Sequence, residues 1–166
     1  MERRPSAATV RERIMRYCAY QERCHAEVRR KLSDLGVPRD EADELIVFLI
    51  TEGFLNEERF ARSFARGRFR LKRWGRMKIV RELESRGLSS ACIRSGLEEI
   101  GEEEYHSSLE EVLTRKMGEI KEENPFVMRD KIAGHAIRKG FEPEMVWEML
   151  KELVPDRPAK SRRGAG

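Results

Sequence analysis

The sequence predicts an all-α protein built from three tandem three-helix repeats, and three observations support this. Three segments can be superimposed on Gly36, Gly87 and Gly140, which are 51 and 53 residues apart. Apolar residues recur in each segment at helical spacing, both before and after the glycine. Hydrophobic and charged contents of 39% each suit small stacked helical units, and strand patterns are scarce. The aligned residues are Val28, Ile79 and Ile132 eight positions before the glycine, Leu32, Leu83 and Ala136 four before, Val37, Leu88 and Phe141 one after, and Ala42, Ile93 and Val146 six after.

Each aligned segment is predicted to hold a helix, a glycine stop and a second helix. Glycine suits the left-handed conformation that ends an α-helix, and the apolar residue after it packs back on the last turn. A period of about 50 residues leaves room for one further helix per repeat. These first helices are predicted at residues 9–20, 57–73 and 103–121, and Pro38, Pro125 and Pro143 stand where other helices begin.

The helices group into repeats over residues 9–55, 56–100 and 101–154, with a disordered N-terminus over 1–8 and a disordered basic tail over 155–166. Because each repeat contacts only its neighbours, we expect an elongated, curved molecule. The sequence has no sustained heptad pattern, which favours a monomer over a coiled-coil dimer.

Composition and motifs exclude several classes of function. No apolar run is long enough to span a bilayer and the N-terminus lacks a signal peptide, so a cytoplasmic protein with no membrane partner is expected. The three cysteines show no Cys-x-x-Cys spacing, which argues against a disulfide framework and a metal site. No phosphate-binding loop or catalytic set is present, and the three histidines are scattered. We therefore expect a binding protein without cofactor, metal or catalytic residues.

The first helix of the middle repeat is predicted to have two opposed faces. One stripe is apolar and should be core; its members are Phe60, Phe64, Gly67, Leu71 and Trp74. A second stripe about 120° away holds Arg59, Arg62, Arg66, Arg70 and Arg73. Residues 57–87 carry eleven Lys/Arg against four Glu (+7), and no acidic residue lies between positions 59 and 81. We expect this basic face to meet an anionic or acidic partner, the alternative being an ordinary solvated face, since arginine is a good helix former.

The chain resembles the RecX family, whose central signature is carried by residues 53–88. The matching runs are Gly53-Phe54-Leu55-Asn56-Glu57, Arg59-Phe60-Ala61, Gly75, Lys78-Ile79, Glu82-Leu83 and Gly87-Leu88. The first repeat adds Glu27-Val28 and Lys31-Leu32 before its glycine. Two positions depart from the family pattern: Cys24 replaces a helix-capping serine, and Gln21 replaces an arginine. By this resemblance the structural signature consists of Gly53, Leu55, Phe60, Phe64, Gly75, Ile79, Leu83 and Gly87.

The resemblance implies a regulator of the recombinase RecA. Such proteins bind RecA and the RecA-DNA filament, lie in the filament groove and inhibit filament growth, ATPase and strand exchange. The residues expected to meet RecA or DNA are Arg59, Arg62, Arg66, Phe69, Arg70, Arg73, Arg76, Lys78 and Arg81. Two alternatives remain. One is direct nonspecific DNA binding by a three-helix protein, with weak contact to single-stranded or duplex DNA. The other is a scaffold that docks through the acidic helix of the third repeat, since residues 102–124 carry three Lys/Arg against eight Glu (−5).

Phe69 is expected on the exposed side of the middle helix, about 180° from Phe60 and among arginines. An exposed phenylalanine is a poor surface residue unless something covers it. We expect it to be an anchor in a groove of RecA. A nucleic-acid base stacked on the ring and a packing contact between repeats are the alternatives.

Overall fold

The computed structural model describes residues 5–156, and nine α-helices and no strand occur within them. The helices are α1 (Ala7–Tyr20), α2 (His25–Asp34), α3 (Arg39–Thr51), α4 (Glu57–Lys72), α5 (Arg76–Ser85), α6 (Ser90–Leu97), α7 (Glu102–Glu119), α8 (Pro125–Arg138) and α9 (Pro143–Leu153). The all-α, three-helix-repeat fold is confirmed. The predicted first helices differ from α1, α4 and α7 by at most two residues at either end.

The predicted disorder of both chain ends falls largely outside the described residues, on 1–4 and 157–166. At the N-terminal end the helix begins earlier than expected. The side chain of Ser6 accepts a hydrogen bond from the backbone N–H of Thr9, so Ala7 and Ala8 are already helical.

The glycine stops that define the repeat are confirmed. Gly36, Gly87 and Gly140 have φ of 77°, 78° and 101°, in the left-handed region. In the first of them the N–H of Val37 donates to the carbonyl of Leu32 at 3.0 Å, and the N–H of Gly36 donates to that of Ser33 at 2.9 Å. The other two stops have the same pair of bonds, which is the Schellman arrangement. The aligned residues eight and four positions before each glycine are fully buried.

The chain divides into two compact units, and the division falls within α4 and α5. The first unit takes in the chain up to Gly67 together with Val80–Glu99, and the second takes in Arg68–Ile79 and the chain from Ile100 onward. The core of the first unit includes Ile14, Val28, Leu32, Leu49 and Leu55. The second unit buries Tyr105, Leu109, Leu113, Ile132, Phe141 and Leu150.

The predicted core stripe of α4 is wrong in its second half. Phe60 is buried as expected, but Leu71 is 84% exposed and Phe69 is only 3% exposed. The buried positions in the first unit's part of the helix are Phe60, Ala61 and Ala65, and Phe64 is half-buried. The buried face is shifted because two small residues, Gly96 of α6 and Ala61 of α4, let the two helices approach closely. A Cβ added to Gly96 would come within 2.8 Å of the carbonyl oxygen of Ala61. This close backbone approach centres the buried face on the two alanines, and a further step of four residues reaches Phe69.

Candidate interaction surface

The signature segment before α4 forms a turn fixed by several local bonds in the first unit. Gly53 has φ of 79°, and the N–H of Phe54 donates to the carbonyl of Leu49 at 2.8 Å. The side chain of Asn56 caps α4 by accepting from the N–H of Arg59 at 2.9 Å. The Arg59 guanidinium in turn donates to the carbonyl of Gly53 at 3.0 Å. These signature residues therefore set the start of the basic helix.

Arg59 also has an acidic partner in the first unit, and so does His25. The guanidinium Nε of Arg59 lies 2.5 Å from Oε1 of Glu22. His25 Nδ1 lies 2.8 Å from Oε1 of Glu57, whose pKa is raised by burial while His25 opposes that shift. Arg59 is thus held at the surface of the first unit by groups of that unit.

Cys24 stands at the N-cap of α2, where the family pattern has a serine. Its side chain makes no cap hydrogen bond and is fully buried, and its thiol donates to Oε1 of Glu27 at 3.3 Å. Burial raises the pKa of this thiol to about 11. In residues 5–156 no three His, Cys, Asp or Glu side chains are grouped so as to hold a metal ion. Cys24 is therefore a packed, protonated residue.

The middle of the arginine stripe is neutralised within the first unit. Arg62 lies 3.2 Å from Glu58, 3.3 Å from Glu98 and 3.2 Å from Glu99. Hydrogen bonds to Glu99 and then Glu58 are the main causes that raise the pKa of Arg62. Arg66 lies 3.2 Å from the other oxygen of Glu99. The interpretation of the stripe as unrelieved positive charge is wrong here, because Glu58 of α4 itself and two glutamates that follow α6, Glu98 and Glu99, pair with it.

The second unit repeats this pattern with glutamates of the acidic helix α7. Arg70 Nε lies 3.2 Å from Oε1 of Glu104, and Arg73 is hydrogen-bonded to Glu111. Arg76 Nη2 lies 3.0 Å from Oε2 of Glu102. The role that the sequence left open for the acidic helix is thus in part to supply counter-charges to arginines of the same unit.

Phe69 is a core residue of the second unit and lies beside the ring of Tyr105. The two ring centroids are 5.9 Å apart in a stacked arrangement, and the ring centroid of Phe141 lies 5.2 Å from that of Tyr105 in a tilted one. The expectation that Phe69 is an exposed anchor is wrong, and the alternative of a packing role is the correct one. Helical geometry within α4 alone could not show this, because the covering ring comes from α7.

Sequence reasoning missed Tyr105, which contacts Arg76. We call Arg70, Arg73 and Arg76 together the arginine end of the second unit. The Tyr105 side chain is fully buried, its hydroxyl donates to Oε2 of Glu142 at 2.5 Å, and it accepts from the N–H of Arg76 at 3.1 Å. The Arg76 guanidinium lies 3.8 Å from the ring centroid. Burial is the main cause that raises the pKa of this phenol. The only sequence signal was a lone aromatic residue among the glutamates of α7.

Lys78 of α5 lies close to another cation, Lys139. The Lys78 ammonium lies 4.4 Å from the Trp74 ring centroid, and Lys139 donates to the carbonyl of Lys72 at 3.1 Å. Burial and then the charge of Lys78 lower the pKa of Lys139. Arg81, the last residue of the predicted face, is exposed on α5 in the first unit.

Leu71 is the large apolar side chain that the helix presents to solvent in place of Phe69. It is 84% exposed and stands between Arg70 and Lys72. The sequence predicted an exposed apolar side chain among cations at position 69. The structure has such a side chain two positions later, at Leu71.

Comparison with known proteins places this architecture in a family. The domain families described as the first, second and third three-helix domains of RecX match residues 11–49, 56–97 and 102–150, in that order. The chain belongs to the RecX family. A regulatory protein RecX from Pseudomonas entomophila is 33% identical over 141 residues, which are 85% of this chain and 89% of that relative.

Other RecX proteins are more distant or longer. Regulatory proteins RecX from Oceanobacillus iheyensis and Lactobacillus delbrueckii are 24% and 26% identical over 82% and 96% of this chain. The chain spans only 50% and 59% of those relatives' lengths. The crystal structure of RecX from Lactobacillus salivarius has a TM-score of 0.78 at 20% identity and covers 88% of this chain and 95% of its own, which supports the fold. No helix within residues 5–156 is long and apolar enough to cross a membrane.

Proposed function

We propose that this chain regulates RecA by binding RecA and RecA-DNA filaments in the filament groove, and that it inhibits filament growth, ATPase and strand exchange. The observation that carries the proposal is the presence of all three RecX domains in one chain and in order. Relatives that match most of the chain bear the name of regulatory protein. In this proposal the chain acts as a monomer in the cytoplasm, and it uses no catalytic residue, cofactor or metal.

The proposed contact surface is the basic face of the middle repeat, with Phe69 removed from it and Leu71 added. Arg66 and Arg70 are 45% and 52% exposed although each has a glutamate partner. Exposed ion pairs contribute only about 0.2 to 1 kcal/mol each, so a partner can replace such a glutamate at small cost. Leu71 supplies an apolar contact among these charges, as interface anchors with a charged rim do.

Direct nonspecific DNA binding remains the second candidate, and one observation favours it. After burial, the charges of Lys78, Arg73 and Arg115 lower the pKa of Lys139, and of these four cations only Arg73 has an acidic partner among the described residues. Phosphate groups would relieve such a cluster. Binding to bare DNA in the absence of RecA would distinguish this candidate.

Charge reversal at Arg66 and Arg70 tests the proposed surface. We expect the double variant Arg66→Glu and Arg70→Glu to fold normally, because both side chains are exposed, and to bind RecA-DNA filaments at least about tenfold more weakly through repulsion. Co-sedimentation with RecA filaments at physiological salt measures the affinity, and thermal unfolding checks the fold.

The matched control reverses Arg13 and Arg16 of α1, which are also exposed arginines of one helix. This control should bind filaments as the unaltered protein does. Equal weakening in both double variants, or unchanged affinity in the Arg66 and Arg70 variant, would place the interface elsewhere.

A further inference from the structure

Two glutamates of α7 are spaced so that each forms an ion pair with an arginine of the arginine end of the second unit. Glu104 and Glu111 are seven residues apart, which places them on one face of α7 two turns from each other. Glu104 pairs with Arg70, and Glu111 pairs with Arg73. The acidic face of α7 therefore makes two ion pairs, one with Arg70 in the last turn of α4 and one with Arg73 just after that helix.

These two pairs lie at the surface, where another molecule can reach them. The exposed fractions are 52% for Arg70 and 45% for Glu104, and 33% for Arg73 and 62% for Glu111. Arg73 and Glu111 also line a surface cavity of about 670 Å³ together with Ser107, Glu110, Thr114 and Arg115. A side chain from a partner therefore has room to approach Arg73 beside its present glutamate.

The third arginine of this end is held differently. Arg76 stacks on Tyr105 at 3.8 Å and lies near two carboxylates, Glu102 at 3.0 Å and Glu142 at 3.8 Å. Its side chain is 25% exposed. Losing one carboxylate leaves Arg76 with the ring and the second carboxylate, so Arg70 and Arg73 are the arginines that can change partners.

We propose that Glu104 and Glu111 are internal counter-ions which occupy Arg70 and Arg73 in the free protein, and that an acidic protein surface binds this end by replacing their carboxylates with its own. The proposal rests on the proposed function, and it assigns the acidic surface to RecA. Carboxylate oxygens already accept hydrogen bonds from these guanidinium groups in the structure. Because the two internal pairs must break before the partner binds, their free energy is subtracted from the affinity for the partner. In the free protein the same pairs hinder other anions from binding the arginines.

The chain offers a matched control on another helix of the same unit. Glu144 and Glu148 of α9 are also exposed glutamates on one helix face, one turn apart, and neither lines the cavity beside Arg73. No ion pair involves either of them among residues 5–156. The double variants Glu104→Gln with Glu111→Gln and Glu144→Gln with Glu148→Gln change the net charge equally.

The test measures the affinity of the full chain and both double variants for RecA filaments on single-stranded DNA, and for a bare oligothymidylate, at one salt concentration. We expect the Glu104 and Glu111 variant to bind filaments about three- to tenfold more tightly, equal to about 0.7 to 1.4 kcal/mol. The control variant should bind as the unaltered protein does, and both should unfold at temperatures close to it.

Three results would overturn the proposal. Equal tightening in both variants would show an effect of net charge alone. Unchanged or weaker binding by the Glu104 and Glu111 variant would show that the pairs only support the fold. Selective tightening on the bare oligonucleotide but not on filaments would assign the arginines to phosphates. Failure of the unaltered protein to bind filaments would instead contradict the proposed function, so the two failures are distinguishable.

Discussion

Replacing Phe69 with alanine is expected to destabilise the protein by about 3 to 5 kcal/mol, the usual range for emptying a buried aromatic site. Phe69 is 3% exposed, and its ring lies 5.9 Å from that of the fully buried Tyr105. Removing it leaves a cavity beside Tyr105, whose hydroxyl bonds Arg76 and Glu142. The loss should therefore also loosen the arginine end of the second unit. Thermal or denaturant unfolding measures it.

Leu71→Ala is the matched control for Phe69→Ala, because Leu71 lies two residues away on the same helix and is 84% exposed. Its removal should change the free energy of unfolding by less than about 0.5 kcal/mol, while weakening filament binding if it is the apolar contact proposed above. An unperturbed Phe69→Ala protein, or a Leu71→Ala protein as unstable as it, would mean that the burial on α4 is assigned wrongly.

Replacing Gly75 with alanine is expected to cost about 3 kcal/mol or more, because its backbone touches that of another turn. A Cβ at this position would lie 2.2 Å from the carbonyl carbon of Gly140 and 2.2 Å from the nitrogen of Phe141. Backbone atoms cannot rotate away as a side chain does. Moving the turns apart would also break the bonds from Gly75 N–H to Lys139 at 2.8 Å and from Met77 N–H to Gly140 at 3.0 Å.

Gly118→Ala provides the contrast, because this glycine lies in α7 and an added Cβ meets nothing within 4 Å. Alanine there should be neutral or stabilise the protein by up to about 1 kcal/mol. Equal effects of the two substitutions on the unfolding free energy would contradict the close approach of the two turns.

The repeat could be predicted from the sequence because its signals are local. A glycine stop needs only its own helix, and the residues eight and four positions before it face the core whichever repeat they belong to. The stops at Gly36, Gly87 and Gly140 therefore stood out without knowledge of tertiary contacts. The resemblance of residues 53–88 to RecX named the family for the same reason.

The predictions that failed concern burial on α4, because residues distant in the sequence determine which of its side chains are covered. Ala61 is small enough for α6 to approach at Gly96, which turns the buried face away from the Phe60 and Leu71 line. Phe69 is covered by Tyr105, 36 positions later in the chain. A helical wheel treats all apolar residues alike and contains no information on which neighbour will cover them.

The basic stripe was overestimated for a related reason. A local count of charges over residues 57–87 gave +7, and it could not include Glu99, Glu104 or Glu111, which the fold brings beside the arginines. The arginines remain partly exposed, so the stripe still forms the proposed contact surface. Its binding is now expected to involve exchange of ion pairs, in place of attraction to unpaired charges.

The central claim, regulation of RecA, is tested most directly by the DNA-dependent ATPase of RecA in the presence of the purified chain. RecA from a matching host is assembled on single-stranded DNA, and ATP hydrolysis is followed as the chain is added at fixed salt. We predict that hydrolysis falls as the chain saturates the filament, and that the Arg13 and Arg16 reversal inhibits equally while the Arg66 and Arg70 reversal inhibits less. Hydrolysis that is unchanged or faster at a saturating excess of a correctly folded chain would contradict the account.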